Sequence, residues 1–254
     1  MSDSAIKVTA RQSSIETPIS RKISQLQSAA PLNQKEKKTA YSLNSTQSLQ
    51  RARLEQFISE RFSNCYGAAI VEFFPLLLAR SNGDAVSSVV GLRPGTDRPL
   101  FLEQYLQTSL EQAITGQVGT AVDRERIMEI GNLASSYKSG NQLMFVLLTA
   151  ILAKAGYSWV VFTATVQVRS LLKRLDFHPV TLCEADESKL VNKHQAWGSY
   201  YQSQPLVQAG NVADGLKILE SNSYTQMLLG KHESEIASLA DQLCTLRTNN
   251  RSAE

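Results

Sequence analysis

The sequence is poor in the residues that build metal centres and disulfide frameworks. It has three cysteines, Cys65, Cys183 and Cys244, far apart and in no CxxC pair. It has three histidines, His178, His194 and His232, none near another. A structural zinc site or a disulfide scaffold is therefore not expected, no metal ligand is assigned, and a reducing compartment fits best. Long apolar runs are also missing. The longest, residues 143–153, is interrupted by Thr149 and falls short of the roughly 20 residues that span a bilayer. Ser, Gln, Lys and Arg interrupt the first 30 residues, so no secretory signal is visible and a cytoplasmic location is expected.

Charge of one sign is scarce as well. The net formal charge is +3, too small to indicate nucleic-acid binding. Residues 1–50 hold seven Lys/Arg against three Asp/Glu, a net of +4, which leaves −1 for the rest. The basic segment at residues 1–47 is rich in Ser, Gln, Lys and Thr and lacks steady periodicity, and it reads as a disordered leader. The rest has ordinary globular composition, with 43% apolar residues over the whole chain.

What remains is a pattern of alternating elements. Residues 48–64 carry Leu49, Leu54, Phe57, Ile58 and Phe62 near one helical face. Residues 68–79 read as a strand with Pro75 at a bulge or edge. Ser81-Asn82-Gly83-Asp84 is a turn, and residues 85–92 complete an antiparallel hairpin. Residues 100–114 are amphipathic and predict a helix. A strand follows around Ile127–Leu133, then a turn over residues 135–141, a helix over 142–155, an apolar strand over 159–163 and a basic helix over 166–175. That order is a β-α-β unit, which requires a crossover to a parallel neighbour. Residues 180–183 predict a strand, residues 186–195 a polar and partly helical stretch, and residues 211–220 a helix. Residues 224–247 predict one long helix. Its heptad-like seam, Leu229, Ile236 and Leu243 with His232, Leu239 and Leu246, suggests weak homodimerisation.

Several residues stand out chemically. Glu129 lies in an otherwise apolar strand and shares a face with Gly131, opposite Met128 and Ile130. A carboxylate there needs either a cleft, where it would serve as general base to an amine, or an ion pair with Arg124, Arg126 or Arg169. Asn132 ends the strand and would orient an acceptor or polarise a carbonyl, or else bond the backbone at a bulge. Ser135, Lys138, Gly140, Asn141 and Gln142 surround a helix start whose free N–H groups suit a phosphate, with a plain turn and cap as the alternative. Arg169, Lys173 and Arg174 form a basic patch, either a docking surface for an acidic carrier or a solvated face. Trp197, Tyr200 and Tyr201, with Glu103 on the amphipathic segment, would line a substrate pocket; packing is the alternative for the aromatic three.

Two resemblances rest on these stretches. The element order, and Arg174-Leu175-Asp176-Phe177 where an Arg-Leu-Gly-Phe sequence is common, resemble the GNAT acyltransferase superfamily. The segments YGAAIVEFFPLLL (66–78), LFLEQYL (100–106), EIGNLAS (129–135), WVVFTAT (159–165) and WGSYYQSQP (197–205) resemble the bacterial thermostable haemolysin family over roughly residues 50–220. The resemblance implies an α/β (α+β) fold. Its mixed sheet would be flanked by helices, with a leader at 1–47, a domain at 48–220 and a C-terminal helical extension at 221–254. It also implies likeness to acyl-homoserine-lactone synthases. The implied activity is N-acyl transfer to a small amine from an acyl-CoA or acyl-carrier-protein thioester, with no permanently bound cofactor. A membrane-acting haemolysin and a non-catalytic binding module are the rival readings. The GNAT pyrophosphate loop, Arg/Gln-x-x-Gly-x-Gly/Ala, is matched only loosely: with Gly140 as its first Gly, Tyr137 takes the basic position and Gln142 the last. The Glu-x-x-Arg of the lactone synthases is here Glu129-Ile-Gly-Asn132, without the Arg.

Overall fold

A computed structural model describes residues 39–251 apart from residues 98, 137 and 192–195; for residues 138–141 and 248–251 it describes the backbone alone. Seven strands form one mixed sheet in the order β1-β2-β3-β4-β5-β7-β6. They are β1 (Thr39–Asn44), β2 (Leu76–Asn82), β3 (Ala85–Pro94), β4 (Ile127–Ser135), β5 (Trp159–Ala164), β6 (Val180–Glu184) and β7 (Leu206–Asn211). All neighbours run antiparallel except β4 and β5, which are parallel. The parallel pair is joined by α3 (Lys138–Lys154), the crossover that the β-α-β pattern requires. The fold is the mixed α/β arrangement implied by the resemblance.

Strand alternation sorts the core into two sides. Leu76, Leu78, Val90, Leu92, Met128, Ile130, Phe162 and Ala164 face α3, together with α4 (Val166–Arg174), α5 (Val212–Ser221) and α7 (Glu233–Arg251). Leu77, Ala79, Val89, Ile127, Val161, Val207 and Ala209 face the other way. That side is covered by α1 (Arg51–Tyr66), by a 3-10 turn at Phe101–Tyr105 and by α2 (Leu110–Val118). On α1, Leu54, Ile58 and Phe62 recur at helical spacing and are buried.

Several expectations are corrected by the packing. The leader assigned to residues 1–47 ends too late: Thr39–Asn44 is a strand paired with β2, and residues 1–38 lie outside the described residues. The strand expected over 68–79 starts only at Leu76, because Pro75 has no N–H to give a ladder and the Phe74 N–H is taken by the Asn132 side chain. The helix expected over 100–114 is a 3-10 turn followed by α2; Leu106 is extended, and the Glu103 carboxylate accepts the N–H groups of both Leu100 and Leu110. The crossover helix begins at Lys138, not residue 142. In the stretch at 186–195, the described part is a 3-10 turn at Glu187–Lys189; residues 192–195 lie outside the described residues.

The long C-terminal helix is broken at His232 into α6 (Ser223–Lys231) and α7. Ile236, Leu239 and Leu243 of its seam are buried in the core shared with α3 of the same chain, so the seam is already covered and is not a free dimerisation face. The helix is thus part of the domain and not an extension from it.

Leu54 is fully buried where α1 meets the sheet. Leu54→Ala is expected to cost about 2–5 kcal/mol of stability, read from the denaturant midpoint.

Candidate functional site

The site begins with a bulge in β4. The register between β3 and β4 shifts between Val89 and Gly91, so Asn132 and Leu133 occupy the space of one residue. Asn132 adopts φ of 48°, the left-handed region that Asn tolerates better than most residues. Its side chain then works like a piece of backbone. Oδ1 accepts the Phe74 N–H at 2.9 Å and Nδ2 donates to the Glu72 carbonyl at 3.3 Å. The residue is spent on structure in the way the bulge alternative describes.

The consequence is a split in the sheet. β4 and β5 pair from Ile127↔Trp159 to Ile130↔Phe162 and no further. Beyond that point Gly131, Ala134 and Ser135 pair with β3, while Thr163 and Ala164 pair with β7. A cleft fills the wedge. Ile130, Gly131, Asn132, Leu133, Phe162 and Thr163 form its strand walls, and Phe145 and Val168 reach it from α3 and α4.

Two glycines make room for the wall on the other side. Gly91 and Gly131 are register partners. A Cβ at Gly131 would lie 2.6 Å from the Phe74 ring, and one at Gly91 would lie 2.8 Å from Asn132 Oδ1. Phe74 therefore lies flat against the strands. The Arg93 guanidinium stacks over its ring, 4.5 Å from the centroid.

The aromatic segment closes the cleft. Trp197, Tyr200 and Tyr201 all line it, with Phe101 and Tyr105. Trp197 lies 5.3 Å from Tyr200 and 5.6 Å from Tyr201 between ring centroids. The Tyr105 and Tyr201 hydroxyls meet at 2.5 Å. Burial pushes the Tyr201 hydroxyl up to about 12 and raises that of Tyr105 further, so both stay protonated near neutrality. The segment is strapped to the end of α1: Ser199 N–H donates to the Tyr66 carbonyl at 2.8 Å. Gly198 (φ 56°) sits so close to that carbonyl that no Cβ would fit.

Glu129 is fully buried beside this cleft and does not line it. Oε1 accepts the Leu102 N–H at 2.6 Å and Oε2 the Phe101 N–H at 3.1 Å. Its nearest cation is Arg93, at 3.8 Å, rather than Arg124, Arg126 or Arg169. Burial raises its carboxyl to about 7, against the opposing pull of the Leu102 N–H, Arg93 and the Phe101 N–H. The geometry gives Glu129 the work of fixing the 101–102 turn and neighbouring Arg93, where the two readings were a base facing the amine and an ion pair with a different arginine.

Glu103 is not a pocket residue. It accepts from Arg124 Nη1 at 2.5 Å and Nη2 at 3.0 Å, and Arg124 also reaches Glu111 at 2.7 Å and the Gly95 carbonyl at 2.8 Å. Burial alone would raise the Glu103 carboxyl, but the Arg124 and backbone hydrogen bonds outweigh it and hold the group at about 2.

The anion-site residues are partly visible. Ser135 Oγ donates to the Ser87 carbonyl at 3.3 Å, and Gln142 is half-buried on α3. Lys138, Gly140 and Asn141 are in the first turn of α3, not in a loop before it, and their side chains lie outside the described residues. Of the basic patch, Arg169 donates to the Ala164 and Gln204 carbonyls, while Lys173 and Arg174 are exposed. Sequence reasoning missed Arg93, Phe74, Glu72, Tyr105 and Thr163, all of which line the cleft. The one legible signal was the pair of glycines inside strands.

Two pH-dependent outcomes follow. The native state holds the Glu129 proton more tightly than the unfolded chain, so this group's contribution declines as pH rises from 4.5 to about 7. Wild type is expected to lose about 3 kcal/mol from this source over that interval and Glu129→Gln to lack the loss, read from unfolding free energy against pH. The Glu103 value is depressed, so its contribution is present above 4.5 and lost as pH falls towards 2. Arg124→Met is expected to cost about 3 kcal/mol at neutral pH and to flatten that acid limb.

Among the described residues no helix is long and apolar enough to cross a membrane, and no cluster of His, Cys, Asp and Glu could hold a metal ion. No curated protein matches the chain. Among solved structures, the acyl-homoserine lactone synthase LasI aligns at 10% identity and a TM-score of 0.49, over 76% of this chain and 95% of its own. FeeM, an N-acyl amino acid synthase from uncultured soil microbes, aligns at 8% and 0.49, over 74% and 99%. The CoA-dependent acyl-homoserine lactone synthase BjaI, solved with SAM and isopentyl-CoA, aligns at 13% and 0.49, over 72% and 89%. The family described as Thermostable hemolysin matches residues 44–216, a span that holds the whole sheet from β2 to β7 and the cleft within it, and the chain belongs to that family.

Proposed function

We propose that this chain is an N-acyltransferase that moves an acyl group from a thioester, on coenzyme A or a carrier protein, to a small amine. The observation that carries the reading is the wedge between β4 and β5. Past Ile130 and Phe162 the two strands no longer supply each other with ladder partners, so the cleft is walled by backbone N–H and C=O groups. An extended donor with its own amides can replace the missing strand there, with its thioester near the bulge. The first turn of α3, with Lys138, Gly140, Asn141 and Gln142, then receives the donor's phosphate.

The amine enters from the aromatic side, between Trp197, Tyr200 and Tyr201. It attacks the thioester carbonyl, the tetrahedral adduct collapses, the C–S bond breaks and the thiol leaves. Asn132 serves this step by holding the bulge open. Glu72, exposed at the cleft wall, takes the amine's proton. Glu129 acts indirectly through the 101–102 turn and Arg93. Exposed Lys173 and Arg174 offer an acidic carrier protein a contact beside the donor's entrance. The donors are metabolites of the cell interior, which accords with a cytoplasmic location.

The test is mass spectrometry of lipid extracts from an expressing host, comparing wild type with Thr163→Phe, which fills the wedge. New N-acyl amides are expected with wild type and roughly 100-fold less with the variant at an unchanged unfolding midpoint. Lysis of red cells by the purified protein without any new amide would support the membrane-acting reading that the family's name suggests. Absence of both would support a binding module.

A further inference from the structure

Among the described residues, the two buried arginines spend their donors on structure. Arg124 is buried and bonded to Glu103, Glu111 and the Gly95 carbonyl. Arg51 is buried and bonded to Glu55 and to the Phe74 and Pro75 carbonyls. Arg93 differs from both. It sits on β3 directly opposite Glu129 of β4, and its guanidinium lines the cleft with one face on the Phe74 ring. Its nearest carboxylate oxygen, Glu129 Oε2, lies at 3.8 Å, beyond hydrogen-bond distance and already engaged by the Phe101 N–H.

Among the described residues, then, the Arg93 guanidinium makes no hydrogen bond. It is held against the Phe74 ring at the cleft wall, with Nη1 on the Glu129 side. Its side chain is 24% exposed, so it is screened from bulk water without being sealed off. Burial raises the carboxyls of both Glu129 and the half-buried Asp97, while Arg93 pulls each of them down. A stacked guanidinium without a hydrogen bond of its own suits a planar carboxylate bound through two parallel hydrogen bonds.

We infer that Arg93 anchors the carboxylate of the acceptor, and that the acceptor is therefore an α-amino acid rather than a simple amine. This rests on the acyl-transfer reading above. The carboxylate on Arg93 fixes the amino group two bonds away, turned along the same wall towards Glu72, the proton acceptor. The aromatic wall of Phe101, Trp197 and Tyr201 is left for the acceptor's side chain. The glycine pair at 91 and 131 has a functional meaning in this light: it lets Phe74 lie flat enough to support the guanidinium.

The experiment compares acceptors at fixed acyl thioester. Purified wild-type protein, Arg93→Met and Arg93→Lys are each given a panel of α-amino acids, their methyl esters and the corresponding decarboxylated amines, and amide formation is measured. The expected result is a wild-type preference for the free amino acid of roughly 100-fold or more in kcat/KM over its ester and its amine. Arg93→Met is expected to abolish that preference mainly through KM, and Arg93→Lys to restore part of it, since Lys keeps the charge without the fork. Unfolding midpoints of both variants confirm that they are folded.

Esters and amines acylated as well as amino acids would overturn the inference while leaving acyl transfer standing. So would a preference that survives in folded Arg93→Met. Failure of wild type to acylate any acceptor would overturn the acyl-transfer reading itself, and the inference with it.

Discussion

The hydrogen bond from the Phe74 N–H to Asn132 Oδ1 is the constraint on which the cleft depends. One side chain accepts from, and donates to, a segment that cannot join the sheet because of Pro75. That fastening draws the end of β4 to β3 and away from β5. The bulge also reverses the alternation of β4, so that Ala134 packs under α1 while Leu133 turns to the α3 side. The separation of two parallel strands in mid-sheet is costly in lost ladder bonds, and each strand is held in place past the split by its other edge, β4 on β3 and β5 on β7. Everything proposed about donor binding sits in the space this leaves.

The electrostatics follow a division between carboxylates. Glu103 is hydrogen-bonded to a cation, which holds its carboxyl down at about 2; Glu129 lies farther from its cation and is desolvated, which pushes its carboxyl up to about 7. The difference is a bidentate guanidinium at 2.5–3.0 Å against one at 3.8 Å. The first pair stitches the 100–111 region to the start of β4. The second leaves both partners incompletely satisfied next to a cleft, which is where perturbed groups with a functional task are found. Structure and function thus divide the charged residues of one surface of the sheet.

Much of the architecture was legible in the sequence. The β-α-β unit, the hairpin and α1 announced themselves through periodicity and the Ser-Asn-Gly-Asp turn, because each depends on local pattern. What failed depended on distant partners. The 100–114 stretch has helical spacing, but the two N–H groups taken by Glu103, whose carboxylate is in turn fixed by Arg124, split it into two short pieces. The seam of residues 224–247 resembled a pairing face because a heptad looks the same whether its partner is a second copy or the chain's own α3. Asn132 was singled out with two readings, although it sits at a bulge inside β4 rather than at its end, and only the position of Phe74, 58 residues earlier, decides between them. Arg93 carried no local mark: its significance comes from what it is not bonded to.

The most direct measurement of the central claim is the stoichiometry of the reaction in purified components. The chain is mixed with an acyl thioester, with and without an amine acceptor, and free thiol and amide are quantified together. The account predicts that thiol appears only when the amine is present and matches the amide one for one. Thiol release that is independent of the amine, or no release from any acyl thioester, would contradict it.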